Sequence, residues 1–159
     1  CYGANIATWL MQGEQPLSVS AVTQQIKPHL YPKVEDEATI VVTYPKAQVI
    51  IQASWNWPFN RKDMELYGTD GYIFCLDGES MRLMENGKGR KDTLKAAPMP
   101  ADSYDPFVYF ANVVKGNIRM DAYDLSAPAN NLLVMQILEA AKESVRTGKM
   151  IVWKDFINK

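Results

Sequence analysis

Residues 64–87 read MELYGTDGYIFCLDGESMRLMENG, and three dipeptides cut this stretch into strand-sized pieces. Asp70-Gly71, Asp77-Gly78 and Asn86-Gly87 favour tight hairpin turns, because both central residues of such turns tolerate positive φ. The pieces Met64–Tyr67, Tyr72–Leu76 and Met81–Met84 carry the apolar and aromatic side chains that suit a pleated surface. Strands joined by successive tight turns lie side by side and antiparallel, so the stretch predicts a β-meander.

Towards the amino terminus the β character continues. Leu17, Val19 and Ala21 alternate with Ser18 and Ser20, Thr39–Tyr44 is dense in β-branched residues, and Val49, Ile51, Ala53 and Trp55 alternate with Gln48, Gln52 and Ser54. Ahead of them Tyr2, Ile6, Trp9 and Leu10 take the i, i+4, i+7, i+8 spacing of one helical face, and Gly13 supplies a helix stop. Towards the carboxy terminus the proline-rich Ala96–Pro106 reads as a surface loop. Pro106–Val114 reads as a short helix ended by Gly116, with Tyr104, Tyr109 and Phe110 expected to dock it on the sheet. Ser126 is the expected N-cap of a long helix with Pro128 in its first turn. That helix has an apolar stripe of Val134, Ile137, Leu138, Ala141 and Val145. Lys142, Arg146 and Lys149 lie near its negative end, and Gly148 follows it.

Strands first and helices after, with one helix leading, predict an α+β fold: an open, mostly antiparallel sheet with helices packed on one face. With no repeat, linker or low-complexity run, residues 1–159 read as a single domain. Some strands look apolar on both faces, since Ile50 sits between Val49 and Ile51, and Val41 between Ile40 and Val42. An uncovered apolar sheet face is usually buried against something. A second copy of the chain is the expected cover, which makes the free face an oligomerisation surface, with a partner domain as the alternative.

The composition narrows the function classes. A net charge of −1 argues against a nucleic-acid surface, and no apolar stretch approaches the roughly 20 residues of a membrane span. Two cysteines and one histidine leave no tetrahedral zinc set, so no metal is expected. His29 sits in Lys27-Pro28-His29-Leu30-Tyr31-Pro32, where a solvated loop position is the expected reading. The basic run Lys88–Lys91 reads as a solvated hairpin tip. No Gly-x-Gly-x-x-Gly follows a strand and no phosphate loop is present, so no cofactor-binding residue is expected in the chain itself.

Several segments, in order, resemble one family. Cys1-Tyr2-Gly3-Ala4-Asn5, Trp9-Leu10-Met11-Gln12-Gly13 and Gln15-Pro16-Leu17-Ser18-Val19 are similar to the start of the substrate domain in the Gfo/Idh/MocA oxidoreductases. Val34-Glu35-Asp36-Glu37-Ala38-Thr39 resembles that family's lead into its central sheet, and Leu66-Tyr67-Gly68-Thr69-Asp70-Gly71 its Gly-Thr-x-Gly hairpin. Leu125-Ser126, Asn130-Asn131, Ile137-Leu138-Glu139-Ala140-Ala141 and Thr147-Gly148-Lys149 resemble its last helix. The resemblance implies the carboxy-terminal domain of a two-domain bacterial enzyme. In such an enzyme a Rossmann domain, not contained in this chain, binds NAD or NADP and carries a catalytic lysine. It further implies hydride transfer to or from a sugar, polyol or related diol, with the chain inactive on its own and expected in the cytoplasm. The contrasting expectation is a stand-alone β-sheet interaction module, exported and lipid-anchored through Cys1.

By the same resemblance Tyr2 takes the motif's His-or-Tyr position and is the candidate catalytic residue. A phenol of reference pKa about 10 needs a nearby cation to act as a base, and the family's lysine would provide one. On periodicity alone Tyr2 shares a stripe with Ile6 and Trp9 and reads as a core tyrosine. Asn5, at the motif's Asp-or-Asn position, is a candidate for substrate hydroxyls and, alternatively, a helix-packing amide. A second candidate lies at Trp55-Asn56-Trp57-Pro58-Phe59-Asn60-Arg61. Sugar C–H faces stack on aromatic rings while hydroxyls seek amide and guanidinium groups, which nominates Trp55, Trp57 and Arg61 as substrate-binding. Arg61 pairing with Asp63 or Glu65, and the aromatics filling a subunit interface, are the competing roles.

Overall fold

Strand pairing divides the chain at Pro58. The computed structural model describes residues 1–158, and of residues 91–93 the backbone alone. Its elements are α1 (Tyr2–Leu10), β1 (Ser18–Gln24), β2 (Glu37–Thr43), β3 (Gln48–Ser54), β4 (Met64–Gly68), β5 (Gly71–Cys75), β6 (Ser80–Glu85), β7 (Gly89–Lys95), α2 (Ala101–Tyr104), α3 (Pro106–Val114), α4 (Pro128–Thr147), β8 (Ile151–Val152) and α5 (Trp153–Ile157). The α+β class and antiparallel pairing are as expected, but the strands form two sheets of four. Two compact units result, Cys1–Trp57 with Arg119–Lys159, and Pro58–Ile118. A proline has no N–H for a ladder, so Trp57-Pro58 is a natural place for strand pairing to stop.

In the first unit the sheet order is β3-β2-β1-β8. Register sets Val19 beside Val42 and Val42 beside Val49, with Ala21, Ile40 and Ile51 as the next row of the same face. Against this face α4 buries Leu133, Ile137, Ala140 and Ala141. Val19, Val42 and Ile137 are wholly inaccessible. The opposite face carries Ser20, Val41 and Ile50 in one row and Val22, Thr39 and Gln52 in the next. Val22 and Ile50 stay exposed there, the apolar centre of a polar face.

Three local features differ from the sequence reading. The cap position of α4 is Ala127, without a side-chain cap; Asp124 Oδ1 instead accepts the Ser126 N–H at 2.8 Å, and Asn131 Nδ2 donates to Ala127 O at 3.0 Å. Sequence periodicity missed β8 and α5, because two strand residues and five helical ones are too few to show a period. Yet Trp153 there is a core residue, its indole N–H donating to Gln15 Oε1 at 2.8 Å. Finally, α1 buries Ala4, Ala7 and Thr8, while Tyr2, Ile6 and Trp9 of the expected apolar stripe are exposed. That small face packs on α4 and β3, and at Gly3, where a Cβ would stand 2.6 Å from Ile51 Cγ2, no larger residue fits without a shift of Ile51.

The second unit is the meander β4-β5-β6-β7. The first hairpin turns one residue earlier than the Asp-Gly signal, at Thr69-Asp70, with Gly68 paired to Gly71. Gly71 is required for space, since a Cβ there would meet the Met84 carbonyl oxygen at 1.9 Å. At the second, Asp77 Oδ1 accepts the N–H groups of Glu79 and Ser80 at 2.8 and 2.7 Å. The third is a three-residue loop, Asn86–Lys88, with Glu85 paired to Gly89 and positive φ at Gly87 and Gly89 but not at Asn86. Of the basic run, Lys88 pairs with Glu85 at 2.6 Å, and the Lys91 side chain lies outside the described residues. Asp105 caps α3 by accepting from the N–H groups of Phe107 and Val108. Tyr104 and Phe110 are exposed and do not dock that helix as expected.

Ile137→Ala removes atoms from the centre of the first unit's core and is predicted to cost about 2–5 kcal/mol in urea unfolding. Val22→Thr, on the uncovered face, is predicted to change stability by no more than about 0.5 kcal/mol in the same measurement.

Candidate functional site

Tyr2 opens α1 with 79% of its surface accessible. The inward turn of the small α1 face places it outside the core, so the core-tyrosine reading does not hold in this chain. Three residues on, Asn5 Nδ2 donates to Leu125 O at 2.9 Å and Asn131 Oδ1 at 3.3 Å. Asn131 Nδ2 donates to the same Leu125 carbonyl at 2.9 Å. Two amides thereby tie α1 to the loop before α4, the packing role weighed for Asn5.

The second candidate stretch is split between the units. Trp55 and Trp57 follow β3 in the first unit and Arg61 lies in the second. Arg61 grips Asp63 with both branches of its guanidinium, Nε to Oδ1 at 2.6 Å and Nη2 to Oδ2 at 2.9 Å. The hydrogen bond to Asp63, aided by its charge, raises the Arg61 pKa, and the same bond holds the Asp63 carboxyl below its ordinary value. The ion-pair role weighed for Arg61 is therefore present.

Around Trp55 the structure assembles residues that sequence reasoning did not single out. Asp36, only 3% exposed, accepts the backbone N–H groups of Ile26 and Lys27, both at 2.7 Å. Its own carbonyl accepts from Trp55 N at 2.9 Å and Asn56 Nδ2 at 3.1 Å. Glu37 Oε2 accepts from Ser54 Oγ and from Asn56 Nδ2, and Lys27 Nζ donates to Asn56 O at 3.3 Å. Tyr31 leans on Trp55, with ring centroids 5.0 Å apart and planes at 52°. Residues 25–36 are thus clasped to the end of β3. The only sequence signal was a carboxylate at the mouth of a strand, and sequence order alone does not tell which N–H groups it meets.

Among the described residues no group of three His, Cys, Asp or Glu side chains could hold a metal, and no helix is long and apolar enough to cross a membrane. His29 is exposed, as expected. A groove of about 440 Å³ beside β1 and the end of α4, lined by Val22, Thr39, Ser144 and Lys149 among others, includes none of the proposed site residues.

Burial alone would raise the Asp36 carboxyl, but the Ile26 and Lys27 N–H bonds, with help from Asn56, outweigh it and hold the pKa below its ordinary value. A carboxylate depressed in the folded state stabilises that state above its unfolded pKa and stops doing so as pH falls through the folded value. Asp36→Asn is therefore predicted to lower the melting temperature at pH 7. The difference from the parent chain should shrink once the pH drops below about 4. Melting curves of both proteins from pH 7 to pH 2 check this; a difference independent of pH would contradict it.

Comparison with known proteins places this arrangement. The GFO/IDH/MocA C-terminal domain model matches residues 1–74. A search of curated proteins by sequence found no match. Among solved structures, an oxidoreductase from Thermotoga maritima aligns at TM-score 0.64 and 19% identity over 98% of this chain and 44% of its own. GenD2 of gentamicin A biosynthesis, solved in complex with NAD, aligns at TM-score 0.64 and 19% identity over 92% of this chain and 44% of its own. A Sinorhizobium meliloti protein assigned as a myo-inositol dehydrogenase aligns at TM-score 0.62 and 18% identity over 94% of this chain and 47% of its own. The chain spans about half the length of the structures it matches. At these identities the structures speak for the fold alone. Over residues 1–74 the chain is similar to the GFO/IDH/MocA C-terminal domain.

Proposed function

We propose that this chain is the substrate-side and oligomerisation domain of an NAD- or NADP-dependent oxidoreductase acting on a sugar, polyol or related diol. The observation that carries the reading is the exposure of Tyr2 at the start of a helix whose small residues face inward. A catalytic phenol must reach substrate, and here it stands at the surface beside an exposed Ile6 and Trp9 that suit cover by a second domain. In this reading the chain's own residues do not bind the dinucleotide. They include no glycine-rich phosphate loop, so the pyrophosphate falls to a Rossmann domain. When bound, the nicotinamide supplies the hydride chemistry. In this reading Tyr2 takes the hydroxyl proton in oxidation or returns it in reduction, next to a lysine of the Rossmann domain. Asn5 orients the start of α1, Trp55 and Trp57 contact substrate, and Arg61 stays with Asp63. The uncovered face around Val22, Val41 and Ile50 is the proposed contact between copies.

In a protein that joins this chain to its dinucleotide-binding domain, Tyr2→Phe is predicted to lower turnover at least about tenfold while leaving cofactor affinity nearly unchanged. Steady-state kinetics with an NADH titration reads both. Turnover equal to the parent's would remove Tyr2 from the chemistry. The 159-residue chain alone is predicted to show no saturable NADH binding by fluorescence, and binding tighter than millimolar would overturn the assignment of the cofactor to another domain.

A further inference from the structure

Loop 25–36 gains little by burying its own apolar residues. Ile26, Leu30 and Val34 are all exposed, at 53, 59 and 46%. What holds the loop is polar: the buried Asp36 carboxylate on two N–H groups, and Gln25 Nε2 donating to the carbonyls of Tyr31 at 2.6 Å and Val34 at 3.2 Å. A buried carboxylate is costly unless its lone pairs are filled. A segment fixed this way contributes little to the core, so the value of its geometry lies in what it presents outward. It presents Tyr31 to Trp55, and Trp55 remains 62% exposed after that contact.

The pair is tilted at 52°, not stacked flat, which leaves part of each ring face open in a shallow V. Lys27 of the same loop donates from Nζ to the carbonyl of Asn56, the residue after Trp55. An exposed aromatic pair with a lysine held on the adjacent residue matches a ring with apolar C–H faces and hydroxyl edges. We infer that Tyr31 is a second substrate-contacting aromatic, forming with Trp55 a stacking clamp for a polyhydroxylated ring, and that Asp36 is the positioning residue that holds it there. The inference rests on the reading of Trp55 as substrate-binding. It departs from the Tyr2 mechanism in needing only one unit, since every residue of the clamp lies in Cys1–Trp57.

The test titrates the ¹⁵N-labelled chain with D-glucose and, separately, with myo-inositol, following the indole N–H resonances of its tryptophans. Trp55 is expected to shift saturably in the millimolar range with at least one of the two. Tyr31→Ala is expected to weaken that binding about fivefold to tenfold, with Tyr31→Phe close to the parent. The Trp153 indole, in the core, stays in place in every variant that is folded. Binding abolished by Trp55→Ala but untouched by Tyr31→Ala would overturn the clamp and leave Trp55's role standing. No saturable Trp55 shift with either probe would overturn the clamp together with Trp55's role, whatever the Tyr2→Phe kinetics show.

Discussion

The close approach of Gly3 to Ile51 sets the first unit. With 2.6 Å available where a Cβ would sit, Gly3 lies against Ile51, and α1 buries Ala4, Ala7 and Thr8 on α4 and β3 while its large side chains turn outward. Thr8 satisfies its hydroxyl within the helix, on the carbonyls of Ala4 and Asn5, so burying it leaves no donor unfilled. Tyr2, Ile6 and Trp9 therefore form a surface, and the functional reading follows from that orientation.

The sheet beneath is fixed by a different constraint. In antiparallel strands a slip of one residue would reverse every side chain, and the row Val19, Val42, Val49 under Ile137 admits one register only. Ser144 reinforces it from the helix: its Oγ accepts Ala21 N at 3.0 Å and donates to Lys149 O at 2.8 Å, which ties the open edge of β1 to the turn at Gly148. That edge beyond β8 is thereby partly filled from within, an arrangement that discourages stray strand pairing. At the far end of the same sheet the Asp36 clasp fixes a loop that packing alone would leave free.

Much of this was legible in the sequence, for identifiable reasons. The Pro106–Val114 helix, the αL stop at Gly148 and the three hairpins all rest on local backbone preferences, which survive in any context. The orientation of α1 was not legible, because periodicity ranks faces by hydrophobicity whereas close packing selected the small face. The division into two sheets depends on which strands meet, a non-local fact that alternation does not encode. Of the candidate site, Tyr2, Trp55 and Arg61 were named from residue type and resemblance. The Ile26–Asp36 and Lys27–Asp36 contacts were missed because a carboxylate's partners are set by how the loop folds back. Arg61 illustrates the opposite case: its nearest acid in sequence proved to be its partner.

The central claim is that the large α1 side chains form a docking surface for a second domain, not part of this unit's core. Hydroxyl-radical footprinting of Tyr2 and Trp9 tests it most directly, comparing the isolated chain with a protein that also carries a dinucleotide-binding domain. The account predicts strong modification of both residues in the isolated chain and protection of Trp9 in the longer protein. Protection of Trp9 in the isolated chain, or equal modification in both proteins, would contradict it.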